Sequence, residues 1–203
     1  MVWLFAGSAF AEEKPMTVTL VDQKGQPVED AVIVAATKSL STKPASALSA
    51  TMDQQDKQFQ PRVLVVNTGT QVSFPNSDNI RHHVYSFSEP KRFEIKLYAD
   101  APNEPVTFDT PGVVVLGCDI HDNMVGYIFV SDSTNFSKTN TLGQATLTSS
   151  SERPDKLQIW HPLLDDPTSP IMKDIIEWSQ AGEVEIQITI KEPVTQTKTS
   201  RVR

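Results

Sequence analysis

Seven short apolar segments follow one another closely between residues 62 and 132, and they constrain the fold more than any other feature of the chain. Gly, Pro, Asn or Asp residues separate them, and none has the 3.6-residue period of an amphipathic helix. They comprise residues 62–67, 71–76, 82–88, 92–98, 105–110, 112–118 and 125–132. Many short strands separated by turn residues are typical of a β-sandwich or a β-barrel. We therefore predict an all-β protein.

Strand patterns also occur on both sides of this region. Residues 16–37 alternate apolar and polar positions around the turn sequence "DQKGQP", which predicts a β-hairpin. A second group of strands is predicted at residues 140–150, 156–164 and 182–192. Residues 38–58 are rich in Ser, Thr, Ala and Gln, so we expect a long loop there. The apolar spacing within residues 171–180 allows either a short helix or an irregular loop.

The composition excludes several classes of protein. Of the 203 residues, 38% are hydrophobic and 21% are charged, which is typical of a folded globular chain. The net charge of −7 and the pI of about 5.1 argue against a nucleic-acid partner, which would require a basic surface. No apolar run after the first residues approaches the length of about 20 residues that a membrane-spanning helix needs. The single cysteine cannot form an internal disulfide.

The two ends of the chain differ in character from the rest. Residues 1–11 are apolar and small and end in "AFA" before an abruptly charged segment, the pattern of a signal-peptide cleavage site. We interpret residues 1–11 as the remnant of a signal peptide, and we expect an exported, periplasmic protein. Residues 193–203 are polar and mildly basic, so we expect a loose tail.

Three soft donor side chains are closely spaced in the segment "VVVLGCDIHDNMVGYIFV". Cys118 is followed by His121 and Met124, which offer a thiolate, an imidazole and a thioether. Together these ligands suit copper, whereas a thioether is a poor ligand for zinc. A trigonal copper site needs a second imidazole, which His82, His83 or His161 could supply. The alternative is a buried cysteine in an apolar strand, without a metal.

Two stretches of the chain resemble the cupredoxins, the family of small blue copper proteins. They are "VSFPNSDNIRHHVYSFS" and "DTPGVVVLGCDIHDNMVGYIFV", and "HHV" and "WHP" are similar to bacterial plastocyanin-like proteins labelled methylamine utilisation proteins. The resemblance implies a Greek-key cupredoxin β-sandwich over residues 16–132, with one type 1 copper ion. Residues 133–192 resemble, more weakly, a small β-sandwich module of the transthyretin or carboxypeptidase-regulatory type.

The resemblance also implies the ligands and their roles. Cys118 is the thiolate, His82 and His121 are the equatorial imidazoles, and Met124 is the long axial ligand. Strand alternation places His82 and Val84 on one face of a strand, with the following histidine on the other. His83 is therefore expected to act through its backbone amide near the sulfur, and its role as a ligand is the alternative.

One strand at the site is expected to be apolar on both faces. Within residues 125–130, Gly126, Ile128 and Val130 are expected to face the core of the sandwich. Val125, Tyr127 and Phe129 then face outward, where the C-terminal module is expected to cover them.

The function implied is one-electron transfer with an unidentified redox partner protein, and we expect a monomer that is not an enzyme. A nitrite reductase would need a second metal site, for which His83 and His161 are too few. Two alternatives remain: a periplasmic copper-binding or carrier protein without redox shuttling, and a β-sandwich binding module. We expect His161 to be a structural histidine within the C-terminal module.

Overall fold

The computed structural model describes residues 14–35, 48–100, 104–149 and 153–192. Within these ranges it contains 17 strands and no helix, which confirms the all-β prediction. No helix long and apolar enough to span a bilayer is therefore found in the described part of the chain. The predicted signal-peptide remnant, residues 1–11, and the predicted tail, residues 193–203, lie outside the described residues.

In chain order the strands are β1 (Lys14–Val21), β2 (Val32–Ala35), β3 (Ser49–Thr51), β4 (Asp53–Gln55), β5 (Gln58–Gln60), β6 (Val63–Asn67), β7 (Thr70–Ser73), β8 (His82–Ser86), β9 (Phe93–Tyr98), β10 (Val106–Phe108), β11 (Gly112–Gly117), β12 (Val125–Ser131), β13 (Phe136–Lys138), β14 (Gln144–Ser149), β15 (Lys156–Trp160), β16 (Ile171–Asp174) and β17 (Glu183–Gln187).

The middle of the chain forms a β-sandwich, which we call the central sandwich. One sheet has the strand order β6-β12-β11-β8-β9 and the other has the order β10-β7-β3, with the β4–β5 hairpin beside them. Alternate residues of these strands are apolar and point inward, so they form one continuous core. The buried core consists of Met52, Phe59, Val66, Val72, Phe74, Val84, Phe108, Val114, Leu116, Cys118, Met124, Ile128 and Val130.

The first and last strands form a second sandwich, which we call the terminal sandwich. Its sheets have the orders β14-β1-β17 and β13-β2-β15-β16. The buried side chains between them are Met16, Val18, Leu20, Val28, Ala31, Ile33, Ala35, Ala145, Leu147, Leu157, Ile159, Ile186 and Ile188.

The pairing of the first two strands differs from the predicted hairpin. A tight turn does follow β1, where the Gly25 amide donates to the Asp22 carbonyl at 3.0 Å. The chain then crosses to the opposite sheet, so β1 pairs with β14 and β17, and β2 pairs with β13 and β15. The alternation predicts the two strands correctly, but both pair with strands that follow residue 132 rather than with each other.

A third apolar cluster joins the two sandwiches. It contains Val32, Val34, Val63, Val113, Phe129, Trp160 and Leu164. The ring centroid of Trp160 lies 5.4 Å from that of Tyr127 and 5.9 Å from that of Phe129. The outward face of β12 is thus covered at these two residues by β15, as the apolar sequence of β12 predicted.

Several short strands were not predicted. β3 and β4 lie within residues 38–58, where the composition predicts a loop, and β16 occupies the start of residues 171–180, where the apolar spacing allows a helix or a loop. These strands have only three or four residues each, too few for a period to be recognised in the sequence.

Candidate metal centre

Three of the predicted ligand residues are brought together at one end of the central sandwich. His82 begins β8, Cys118 directly follows β11, and His121 lies in the loop that leads to β12. β11 pairs with both β8 and β12 in antiparallel fashion, so the end of β11 lies beside the start of each neighbour. The sheet register therefore positions residues that are 36 positions apart in the chain.

The donor atoms of this group face one another. The Sγ atom of Cys118 lies 3.8 Å from Nδ1 of His82 and 4.0 Å from Nδ1 of His121. All three donor atoms lie within 4.8 Å of one another. His82 and Cys118 are buried, and His121 is half-buried. One thiol and two imidazole nitrogens around a shared, mostly buried point fit a type 1 copper ion.

Met124, the fourth predicted ligand, lies at the end of the same loop. Its side chain is buried in the apolar cluster that also contains Cys118. Its amide donates a 2.9 Å hydrogen bond to the carbonyl of His121, which closes a turn between the two residues. The Met124 side chain is therefore buried in the same core cluster as Cys118, and its role as the fourth ligand stays a prediction.

Asp78 lies beside Nε2 of His82, the ring nitrogen that is not directed at Cys118. Its Oδ2 atom lies 2.7 Å from Nε2 of His82. The amides of Asp56 and Lys57, in the turn between β4 and β5, donate to the same carboxylate at 2.8 and 2.9 Å. Desolvation acts to raise the pKa of Asp78, but the bonds from Lys57, His82 and Asp56 together lower that pKa below its ordinary value. The carboxylate is thus ionised at neutral pH.

The loop before His82 is fixed by further hydrogen bonds. The side-chain amide of Asn76 donates to the carbonyls of Ile80 at 2.8 Å and Tyr98 at 3.1 Å. The hydroxyl of Tyr98 donates to the Phe74 carbonyl at 2.8 Å and accepts a hydrogen bond from the Gln54 side chain. Burial is the main cause that raises the pKa of Tyr98 to about 12. A neutral hydroxyl therefore stays in place as a donor.

His83 is directed differently from His82. Its Nε2 atom lies 3.1 Å from Oε1 of Glu94, and its Nδ1 atom lies 2.8 Å from Oδ2 of Asp119 without the alignment of a hydrogen bond. The group of converging donor atoms does not include it. A hydrogen bond from the His83 amide to sulfur is also not found among the described residues.

His161 is buried in the C-terminal part of the chain. Its Nδ1 atom accepts a 3.1 Å hydrogen bond from the Leu163 amide. Burial is the main cause that lowers the pKa of His161 to about 4, against a smaller opposing effect of a hydrogen bond with the Glu29 backbone. His161 is therefore neutral at physiological pH, and its contacts are those of a structural residue.

The ring of Tyr85 fills the space beside Gly117, the residue before the cysteine. A Cβ atom at position 117 would come within 2.7 Å of the Tyr85 ring. Tyr85 reaches this position because it pairs with Gly117 in the ladder between β8 and β11.

Asp78 and the β4–β5 turn were not predicted as parts of the site. A signal existed, because Asp78 precedes His82 by four residues within the turn-forming sequence "NSDN". No sequence pattern indicates the hydrogen bonds from Asp56 and Lys57, because these bonds come from backbone amides about 20 residues away in the chain.

Comparisons with known proteins give structural matches only. No protein-family model and no curated protein matches the chain. An oxidised mutant of amicyanin matches at 17% identity and a TM-score of 0.37, over 49% of this chain and 98% of that chain. A purple cupredoxin from Nitrosopumilus maritimus matches at 21% identity and a TM-score of 0.36, over 41% of this chain and 99% of that chain.

A copper-containing nitrite reductase from Thermus scotoductus also matches. Its identity is 25% and its TM-score is 0.40, over 55% of this chain and 28% of the reductase chain. Cupredoxin structures are thus what this chain is similar to over roughly half of its length.

Proposed function

We propose that this protein is a periplasmic type 1 copper protein that carries one electron at a time. The observation that supports this most directly is the approach of two imidazole Nδ1 atoms to within 3.8 and 4.0 Å of the buried Sγ atom of Cys118. In this proposal a copper ion would be held by the imidazoles of His82 and His121, the thiolate of Cys118 and the thioether of Met124. A bound copper ion would supply the one-electron chemistry by alternating between its monovalent and divalent states.

In this proposal the protein would limit the movement of the ligands when a bound copper ion changes its oxidation state. His82 and Cys118 are buried in a close-packed sheet, so the two ligands have little freedom to move when the charge changes. His121 is the most exposed of the proposed ligands, and the adjacent Ile120 is 48% exposed. We therefore propose His121 as the position where electrons enter and leave, with a redox partner protein docking around it.

Addition of Cu(II) to the metal-free protein tests this proposal. We expect an intense visible absorption band from the copper–thiolate bond and one electron taken up per protein on reduction. Cys118→Ser should abolish the band, because a hydroxyl cannot provide the thiolate. A colourless complex, or an unchanged spectrum in Cys118→Ser, would contradict the proposal.

The same titration distinguishes electron transfer from copper carriage. An electron carrier keeps its metal in both oxidation states, so repeated reduction and reoxidation should return the full visible band. A carrier without redox shuttling would release copper to a chelator once the metal is reduced. The periplasmic location rests on residues 1–11 and is tested by the N-terminal sequence of the exported protein.

A further inference from the structure

The hydrogen bonds around Asp78 link the β4–β5 hairpin to a proposed copper ligand. The carboxylate receives three donors: the ring of His82 at 2.7 Å, the amide of Asp56 at 2.8 Å and the amide of Lys57 at 2.9 Å. Two of these donors belong to a turn that is distant in sequence, and the third is the completely buried imidazole. Asp78 is therefore attached to both the hairpin and the site.

The turn itself is unusual in its residue types. Asp56 and Lys57 have φ values of 53° and 59°, in the left-handed region that glycine and asparagine favour. Successive residues in this conformation direct their amides toward one point, which forms a small anion-binding concavity. Here that concavity is occupied by the Asp78 carboxylate, so the left-handed turn has a direct role in fixing its orientation.

Two further contacts hold the β4–β5 hairpin in place relative to the loop that contains Asp78. Oδ2 of Asp53, at the start of β4, accepts a 2.6 Å hydrogen bond from the hydroxyl of Ser77. Phe59, in β5, is completely buried in the core that contains Cys118. The hairpin is thus held at both of its strands, and it cannot shift without moving the Asp78 carboxylate.

We propose that Asp78 is a positioning residue that keeps the proton of His82 on Nε2 and directs Nδ1 toward Cys118, with the β4–β5 turn holding the carboxylate in place. Hydrogen-bonded partners of metal-binding histidines fix the ring orientation and increase its basicity. The negative charge beside the ring favours the more positive metal. This inference rests on the proposed copper function, but its first test does not require copper.

The first test determines the tautomer of His82 in the metal-free, reduced protein. Long-range proton–nitrogen correlation spectra of histidine-labelled protein at alkaline pH identify which ring nitrogen bears the proton. We expect the Nε2–H form, because Asp78 accepts from that atom. An Nδ1–H form would overturn the inference even if the protein binds copper, and the measurement needs no variant that could fail to fold.

The second test compares Asp78→Asn with Asp56→Asn in the copper-loaded protein. Each substitution removes one negative charge, but only Asp78→Asn replaces the acceptor of the His82 bond. Asp78→Asn should weaken copper binding about 10-fold to 100-fold and raise the reduction potential. Asp56→Asn should change both much less, because its side chain is exposed, its amide is retained and asparagine tolerates the left-handed conformation.

Equal effects of the two substitutions would overturn the inference, since charge alone would then explain them. An unchanged or lower potential in Asp78→Asn would overturn it as well. Wild-type protein measured in parallel separates the two proposals. If the wild type gives no copper–thiolate band, the proposed function is wrong. If the wild type gives a normal band and Asp78→Asn has unchanged copper binding and reduction potential, only the proposed role of Asp78 is wrong.

Discussion

Gly126 is the residue that the close packing of Phe59 against β12 requires. A Cβ atom at this position would lie 2.8 Å from the Cβ atom of Phe59, in the completely buried part of the core. The absence of a side chain lets β12 pack closely against the β4–β5 hairpin. Glycine is needed here for the close approach of two strands rather than for its conformational freedom.

Gly126→Ala should therefore lower the free energy of unfolding of the metal-free protein by about 1–3 kcal/mol, the usual cost of overpacking a core. Urea unfolding measures this loss. Phe59→Ala removes the Cγ and Cδ2 atoms of this contact and leaves only the Cβ atom, so Gly126→Ala should cost less in the Phe59→Ala background. Additive losses in the double variant would contradict the proposed clash.

His161 makes the stability of the protein dependent on pH. Its pKa is about 4 when folded, because of burial, and about 6.5 in an unfolded chain. Between these values the unfolded state binds more protons, so stability is complete above pH 6.5 and decreases as the pH falls toward 4. The full loss from this group is about 3 kcal/mol.

Urea unfolding at several pH values between 4 and 7 tests this dependence. In His161→Asn the side-chain oxygen can still accept from the Leu163 amide, but the side chain does not ionise in this range. We expect the decline in stability over this interval to be smaller in His161→Asn than in the wild type by about 3 kcal/mol. An identical decline in both proteins would show that other groups cause it.

At the scale of elements, β12 belongs to two cores at once. Ile128 and Val130 pack into the central sandwich, while Phe129 packs into the cluster around Trp160. The strand pairs with β11 on one side and with β6 on the other, so its backbone has partners on both sides from Tyr127 to Val130. The strand that follows the ligand loop is therefore held on every side.

Trp160→Ala should lower the free energy of unfolding by about 3–5 kcal/mol, as is usual for a buried tryptophan. Trp178→Ala is a matched control, because each indole donates one hydrogen bond to a proline carbonyl, Trp160 to Pro167 at 2.9 Å and Trp178 to Pro154 at 3.0 Å. Trp178 is only half-buried, so its removal should cost less. Equal losses in urea unfolding would contradict a special role for the Trp160 cluster.

At the scale of the whole molecule, the terminal sandwich is formed by β1 and β2 together with the strands from β13 to β17. β1 and β2 come from the first 35 residues, yet all of their ladder partners lie after residue 132. The central sandwich lies between these segments in sequence. Cleavage of the chain at a single position therefore cannot separate the two sandwiches.

A chain truncated after Asp132 should expose the apolar faces of β1 and β2 together with Phe129 and Tyr127. We expect it to bind a hydrophobic dye and to aggregate. A chain of residues 48–132 that contains Tyr127→Thr and Phe129→Thr should be more soluble, because it lacks the unpaired strands and both exposed rings. A soluble and equally stable protein after the simple truncation would contradict this view of the interface.

The sequence allowed much of this structure to be predicted, for reasons that are local. Period-two alternation located the strands of both sandwiches, since every second side chain must enter a core. The short spacing of Cys118, His121 and Met124 indicated a metal loop, and the alternation at His82 and His83 distinguished the residue that faces the sulfur from the one that does not. Short strands such as β3 and β16 left no comparable pattern.

The sequence by itself determined the strand-rich fold, the soft donor set and the two apolar faces of β12, because each follows from residue type and local spacing. Only the tertiary structure decided which strands pair, since β1 and β2 could have paired with each other and instead pair with strands more than 100 residues away. It also decided the surroundings of the ligands. The amides of Asp56 and Lys57 reach Asp78, and the ring of Tyr85 reaches Gly117, through chain crossings and sheet register, which residue spacing does not encode.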